Sequence, residues 1–419
     1  MTVRILLVTH YFPPEIGAPQ ARLSEMARTW AEDGDEVTVL TGMPNHPTGV
    51  VPDAYRGAVR RIERSGPYRV VRTWLYATPN EGFVKKTLGH LSFMVTSVLL
   101  GLRPSGPADV VVVSSPTFFS IFAAWVLARV KRAPLVVEVR DLWPAIFVEL
   151  GVLTDRRIIA VLEWLELWAY RQAALVVVVS EGFRDDLIRR GVPADKVATI
   201  RNGADVERFT PGGDPGPGRA RLGAAPGEAL ALYLGAHGIS HGLDTVLDAA
   251  ALLVDQPVRV ALVGEGAERT ALVARVERER LTNVTMLPGV PRDEVPELLA
   301  AADVALVPLR DVPLFSTFIP SKIFEYLATG TPVIGAVRGE PAAILEEAGQ
   351  VVVEPGDAAA LAKAVGELAD DPRRRATMGD DGRRAVTDRF DRQALARRYR
   401  SLLAPLPRAS LAPRNEARR

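Results

Sequence analysis

Leu314-Phe-Ser-Thr-Phe-Ile-Pro-Ser-Lys-Ile-Phe-Glu-Tyr-Leu-Ala-Thr-Gly-Thr-Pro-Val333 reads as a polar loop, a short helix, a glycine stop and the start of a buried strand. Pro320 closes the loop, and Ser321 is the residue type that caps a helix beginning at Lys322. Gly330 is placed to stop that helix, and Thr331-Pro-Val-Ile-Gly335 begins the strand. A helix start presents free backbone N–H groups and partial positive charge, which suit a phosphate; Lys322 adds a full charge. Glu325 falls one turn on, on the same face, where a carboxylate can accept two hydroxyl hydrogen bonds from a ribose. The same spacing also describes an ordinary surface helix carrying a weak i,i+3 Lys–Glu pair.

Outward from this stretch, apolar runs alternate with helical periods along the whole chain. The first half carries strand signals at 3–9, 36–41, 68–74, 109–113, 134–139, 175–180 and 196–200. An amphipathic helix is predicted over 21–32, with Leu23, Met26, Ala27 and Trp30 on one face and Gly34 as its stop. The pattern restarts with strands at 229–235, 258–263, 284–287, 304–307, 332–335 and 351–353 and helices between them. Two Rossmann-like, doubly wound parallel-sheet domains of the α/β class, facing across a cleft, are therefore expected. The predicted organisation is an N-terminal domain over 1–205 and a C-terminal domain over 206–375. Helices over 376–404 return toward the first domain, and a basic tail over 405–419 is disordered. Residues 210–227, dense in Pro and Gly, read as an inter-domain segment or as a surface loop of the second domain.

The composition closes off several classes. At 419 residues the chain accommodates two ordinary domains, and 48% hydrophobic content suits an α/β protein. A net charge of +1 gives no nucleic-acid signature, so no nucleic-acid partner is expected. With no cysteine and five scattered histidines, neither disulfides nor a catalytic metal is expected. The N-terminal strand follows without a signal-peptide pattern, which makes a cytoplasmic location the expectation. Residues 88–102 are apolar all round and flanked by Lys85, Lys86 and Arg103. They are too few to span a bilayer, and read as a buried core helix or as a helix lying in a membrane interface.

With Glu325 in its surroundings, the chain resembles the retaining glycosyltransferases of GT family 4, which have the GT-B fold. Pro320–Val333 carries the resemblance most strongly. It is joined by Val178-Val-Ser-Glu-Gly-Phe183, Ile200-Arg-Asn-Gly-Ala-Asp-Val-Glu-Arg-Phe209 and Tyr233-Leu-Gly-Ala-His-Gly-Ile-Ser-His-Gly-Leu243. Tyr11-Phe-Pro-Pro-Glu-Ile-Gly-Ala-Pro-Gln20 and Arg140-Asp-Leu-Trp-Pro144 resemble the WbuB/WcaI-like subgroup of polysaccharide assembly. The resemblance implies a UDP- or GDP-sugar donor and no cofactor. It also implies a polyprenyl-diphosphate-linked glycan acceptor at the inner membrane surface, with the enzyme peripheral there. The sugar moved is, on this reading, of the N-acetylated amino or deoxy kind.

The resemblance assigns Glu325 to the ribose hydroxyls. A second family glutamate, eight residues earlier, is here Thr317, so Ser316, Thr317 and loop N–H groups are expected to take over contact with the sugar. The positions of the family's Arg and Lys on the diphosphate hold Ala236 or His237, and His241; Gly238 of the same loop is a further donor-binding candidate. A phosphate would favour charge on His241, with Lys322 supplying a fixed charge. In the first domain, Gly17 permits close approach of backbone to a phosphate or acceptor, or is a simple turn glycine. Asp141, at the carboxyl end of a parallel strand, is placed to orient the acceptor or take its proton, and Arg140 to neutralise a diphosphate; the pair also reads as a structural ion pair beside Trp143. Asn202, Gly203 and Asp205 are read as a structural turn. Val263-Gly-Glu-Gly-Ala-Glu268 lacks the third glycine of a dinucleotide fingerprint. The rival readings are a sugar-nucleotide 2-epimerase or an NAD-dependent dehydrogenase on the same architecture, and a non-catalytic nucleotide-sugar-binding partner.

Overall fold

The computed structural model describes residues 2–46, 48–78, 83–115, 118–151, 153–404 and 406. The chain forms two compact units: residues 1–201 with 393–419, and residues 202–392.

In the first unit, eight strands lie in the order β3-β4-β2-β1-β5-β6-β7-β8. They are β1 (Arg4–Val8), β2 (Glu36–Gly42), β3 (Arg60–Ser65), β4 (Tyr68–Thr73), β5 (Val110–Ser115), β6 (Leu135–Val139), β7 (Leu175–Val178) and β8 (Val197–Thr199). All neighbours are parallel except β3, which runs antiparallel to β4. β1, β5, β6 and β7 are almost wholly buried runs of Val, Ile and Leu, as strands covered on both faces must be. β3 (Arg-Arg-Ile-Glu-Arg-Ser) gives no such run, and it is an exposed edge strand that the sequence pattern did not reveal. The first helix, Ala18–Glu32, begins three residues before the predicted start, because Pro19 is tolerated in a first helical turn.

The second unit holds six parallel strands in the order β11-β10-β9-β12-β13-β14. These are β9 (Ala229–Leu234), β10 (Val258–Val263), β11 (Val284–Leu287), β12 (Val304–Pro308), β13 (Val333–Ala336) and β14 (Val351–Val353). Strand order reverses between β9 and β12, so the crevice outside their carboxyl ends is where an open α/β sheet binds ligands.

The boundaries at 205 and 375 need correction. Ala204 N–H donates to Phe390 C=O and Arg392 N–H to Ala204 C=O, which stitches residues 202–205 to 390–392 within the second unit. The predicted 376–404 block is divided. Helix Pro372–Arg389 belongs to the second unit, where Gly379 and Gly382 let it press against Gly330 and Leu327. Helix Arg392–Leu403 falls almost entirely in the first unit, where the Trp30 indole N–H donates to Ala396 C=O at 2.8 Å. Residues 210–227 are part of the second unit, and their helix Pro215–Arg221 packs on helix Val295–Ala301. Residues 405 and 407–419 of the predicted tail lie outside the described residues.

The apolar segment 88–102 lies in helix Phe83–Gly101 except for Leu102, and neither sequence reading describes it fully. Phe93 and Ser97 are buried, and Gly101 sits so close to Leu40 that a Cβ would meet its Cδ1 at 2.6 Å. Leu88, Val95 and Leu99 face outward.

Candidate active site

Helix Lys322–Ala328 follows β12 and is seven residues long. It is fixed by Ile323, Phe324, Leu327 and by Tyr326, whose hydroxyl donates to Leu234 C=O (2.8 Å) and accepts from Leu234 N–H (2.9 Å) at the end of β9. Ser321 does not cap it: its backbone is already helical and its side chain makes no capping bond. The capping reading is corrected on that ground, because a cap needs extended backbone for its oxygen to reach the N2 or N3 N–H.

That anchoring sends Lys322 toward the loop after β9. Its Nζ lies 3.7 Å from the centre of the Tyr233 ring and has no hydrogen-bond partner. The Lys–Glu pair of the ordinary-helix reading does not form. Burial lowers the lysine pKa to about 7, against a smaller upward pull from Glu325. Lys322 is therefore not the fixed charge expected of it, although the Tyr233 ring face returns roughly 0.5–2 kcal/mol to the ammonium.

His237 and His241 gather around the same ring, with centroids 5.9 and 6.0 Å from that of Tyr233. Both ring nitrogens of buried His237, and Nδ1 of His241, also lack partners. Burial first, and Lys322 second, hold His237 down at about 4 and His241 at about 2. The expected charge on His241 is thus absent in the ligand-free pocket and would need an anion to offset Lys322. Gly238 sits between them, with Cβ space 3.8 Å from the His241 ring.

Two glycines dismissed as a weak dinucleotide motif hold this loop in place. A Cβ at Gly264 would meet Gly235 O at 1.8 Å, and one at Gly266 would meet His237 O at 2.3 Å. His237 N–H donates to Glu265 C=O and Glu268 N–H to His237 C=O, so the loops after β9 and β10 support each other. Gly264→Ala must displace the His237 loop. A loss of roughly 1–3 kcal/mol of stability is expected, read by chemical denaturation.

Glu325 turns to the other side of the helix. Its Oε1 lies 3.5 Å from Arg292 and 3.8 Å from Arg392, both long for an ion pair. The Ser316 and Thr317 hydroxyls donate to Pro313 C=O (2.7 Å) and Leu314 C=O (2.9 Å) of their own turn, which leaves each an acceptor. Tyr233, Tyr326, Arg292 and Arg392 were missed by the sequence reading. Tyr233 lay inside a quoted motif, but nothing in the sequence links Arg292 or Arg392 to Glu325.

The first unit brings its candidates to the carboxyl ends of β1 and β6. Gly17 is extended (φ 164°), and a Cβ there would meet only the movable Gln20 Oε1 at 2.4 Å. Gly17→Ala is therefore expected to leave the melting temperature unchanged; a fall in turnover alone would mark close approach of a substrate. Arg140 is buried, and Asp141 follows it. Burial raises the Asp141 carboxyl pKa, and Arg140 pulls it back. Glu138 is taken up by Arg22, whose guanidinium also donates to Ile200 and Arg201 C=O, so it is structural. No group of three or more His, Asp or Glu able to hold a metal ion occurs among the described residues.

Two family models match in sequence along the chain. The glycosyl transferase 4-like domain covers residues 17–203, and glycosyl transferases group 1 covers residues 218–385. WcaI of Escherichia coli (strain K12), named for colanic acid biosynthesis and glycosyl transfer, is 27% identical over 335 residues, 78% of this chain and 82% of its own length. Sucrose-phosphate synthase from Thermosynechococcus elongatus superposes with a TM-score of 0.74 at 22% identity, covering 96% of this chain and 99% of its own. Anabaena HepE, in a complex with UDP and glucose, does so with a TM-score of 0.72 at 20% identity, covering 96% and 100%. At those identities the two structures speak for the fold, which is GT-B. The chain belongs to the glycosyltransferase family that these two models describe, and within it is similar to the WcaI group.

Proposed function

We propose that the protein is a retaining, metal-independent glycosyltransferase that moves a sugar from a UDP- or GDP-sugar to a lipid-linked glycan in cell-surface polysaccharide assembly. One observation carries the reading. Lys322 Nζ, both His237 ring nitrogens and His241 Nδ1 are unpartnered around one aromatic ring, at the strand-order switch of the second sheet. Buried polar groups without partners are unfavourable unless a ligand supplies them, and a diphosphate supplies acceptors and the matching charge. Glu325 then takes the ribose hydroxyls. HepE, whose complex holds UDP and glucose, supports the nucleotide-sugar class, and WcaI the polysaccharide setting.

The reaction breaks the anomeric C–O bond to the donor phosphate, with the acceptor hydroxyl entering on the same face through a short-lived ion pair. The main demand is stabilisation of the departing diphosphate, which Lys322 meets. Asp141 receives or orients the acceptor proton, and its raised pKa suits that task. No cofactor is required in this scheme.

Thermal-shift screening with UDP-, GDP- and TDP-sugars tests the donor class, since a bound donor stabilises by about 2.7 kcal/mol at a hundredfold excess over Kd. A response to NAD alone would overturn it. Proton NMR of the product tests retention: an inverted anomeric centre would contradict it.

The pH dependence follows from Lys322. An anion binds the protonated lysine, so affinity is flat below the free-pocket value of about 7. It then falls about tenfold per pH unit above that value until the bound-state pKa is reached. Calorimetry of UDP- or GDP-sugar binding between pH 6 and 9 checks this, because the diphosphate diester of the donor lacks the terminal-phosphate ionisation near pH 6.

A further inference from the structure

We propose that the face built by helices Phe83–Gly101, Phe118–Lys131 and Arg156–Gln172 of the first unit docks the protein on an anionic lipid bilayer. The inference extends the acceptor side of the proposed function, yet it uses none of the residues of the donor pocket, which belong to the second unit.

Three observations carry it. The first is exposure of large apolar side chains in register. Leu88, Val95 and Leu99 form one stripe of the first helix, and Leu99 is 75% exposed. Ile158, Val161 and Trp164 form another on the third helix, and Trp164 is 61% exposed. Folding does not leave such stripes in water without a use.

The second is shape. Between the stripes runs an open groove of about 640 Å³, floored by Phe122, Trp125 and Trp168. Val95 joins it to a second groove of about 490 Å³ that reaches Trp74 and Tyr76. Aromatic side chains at the margin of an apolar surface are suited to the headgroup boundary of a bilayer.

The third is charge. Residues 83–103, 118–132 and 156–172 together carry nine Lys or Arg and two acids. One of those acids, Glu166, is buried and held by Arg190 and Tyr170. The cations sit at helix ends, away from the apolar middles. Arg129 donates to Gln172 (3.2 Å) and Lys131 to Leu102 C=O (3.0 Å), so the carboxyl ends of the three helices converge. Arg103, Arg129, Lys131, Arg132 and Arg171 thus gather at one end of the groove. An apolar surface with a basic rim fits acyl chains beneath anionic headgroups. Two copies packed face to face would instead oppose the same basic ends, which disfavours a self-interface. No described helix is long and apolar enough to cross a membrane, so the fit is to the surface.

Flotation of the full chain with vesicles of phosphatidylcholine alone, and of an equal mixture with phosphatidylglycerol, tests the proposal. Wild type is expected to float with the mixed vesicles, less so as salt rises. Leu99→Asp with Trp164→Asp is expected to lower binding at least about tenfold, and Arg129→Glu with Arg171→Glu to remove the preference for phosphatidylglycerol. The thermal shift given by UDP or GDP should be unchanged in both variants, which reports folding and separates this face from the donor reading. Equal flotation of wild type and the Leu99/Trp164 variant would overturn the proposal. So would absence of vesicle binding together with a wild-type dimer that the same variant dissociates in sedimentation velocity.

Discussion

Lys322→Met is expected to raise the stability of the ligand-free protein while lowering glycosyl transfer by roughly a hundredfold or more. The two effects have one cause. Burial brings the lysine from 10.5 to about 7, so the folded chain holds a group that prefers to be charged in water. Between those values unfolding takes up a proton, and the unfavourable contribution is present in full below pH 7 and fades as pH rises to 10.5. At neutral pH its removal is worth on the order of 3 kcal/mol, after allowance for what the Tyr233 ring returns. Methionine fills the same volume without the charge. A departing diphosphate gains more negative charge than the bound donor has, so the rate should suffer more than donor affinity. Equal losses in both would mean uniform binding of ground and transition states. A lower melting temperature for Lys322→Met would mean that the lysine has a structural role.

The second large effect is expected at Glu325. Glu325→Ala should weaken nucleotide binding by about 1–3 kcal/mol, the usual contribution of a charged hydrogen-bond partner. Stability should change much less, because its ion pairs with Arg292 and Arg392 are 3.5 and 3.8 Å long and Arg392 also donates to Gly203 C=O at 3.0 Å. Calorimetry with UDP or GDP, beside a denaturation curve, separates the two. Unchanged nucleotide affinity would remove the ribose assignment.

The distribution of what was legible in the sequence has physical causes. Fully buried parallel strands write themselves as apolar runs, so two sheets were predictable strand by strand. β3 was not, since an exposed edge needs no such run. Gly330, whose φ of +71° favours glycine, marked the end of helix Lys322–Ala328, whereas its start was read from a Ser321 cap that does not form. Its chemistry was read only in part. Spacing put Lys322 and Glu325 on one face, but the anchoring of Tyr326 at the end of β9 turns the lysine to Tyr233 and leaves the glutamate to two arginines. Arg392 reaches Glu325 from 67 positions along the chain, and no local pattern encodes that. Lys322 is not the fixed charge the spacing suggested, because burial, which a linear sequence does not state, lowers its pKa to about 7; the charge on His241 was expected only beside a phosphate. Similarly, Gly264 and Gly266 lacked a motif yet have a steric reason that only the facing loop supplies.

The central claim is that Lys322, His237 and His241 receive the donor diphosphate. A crystal structure with whichever of UDP or GDP stabilises the protein tests it most directly. The predicted result is phosphate oxygens within hydrogen-bond distance of Lys322 Nζ and of a His237 or His241 ring nitrogen, with the ribose hydroxyls on Glu325. A diphosphate bound elsewhere, with Lys322 still resting on the Tyr233 ring and unpartnered, would contradict the account.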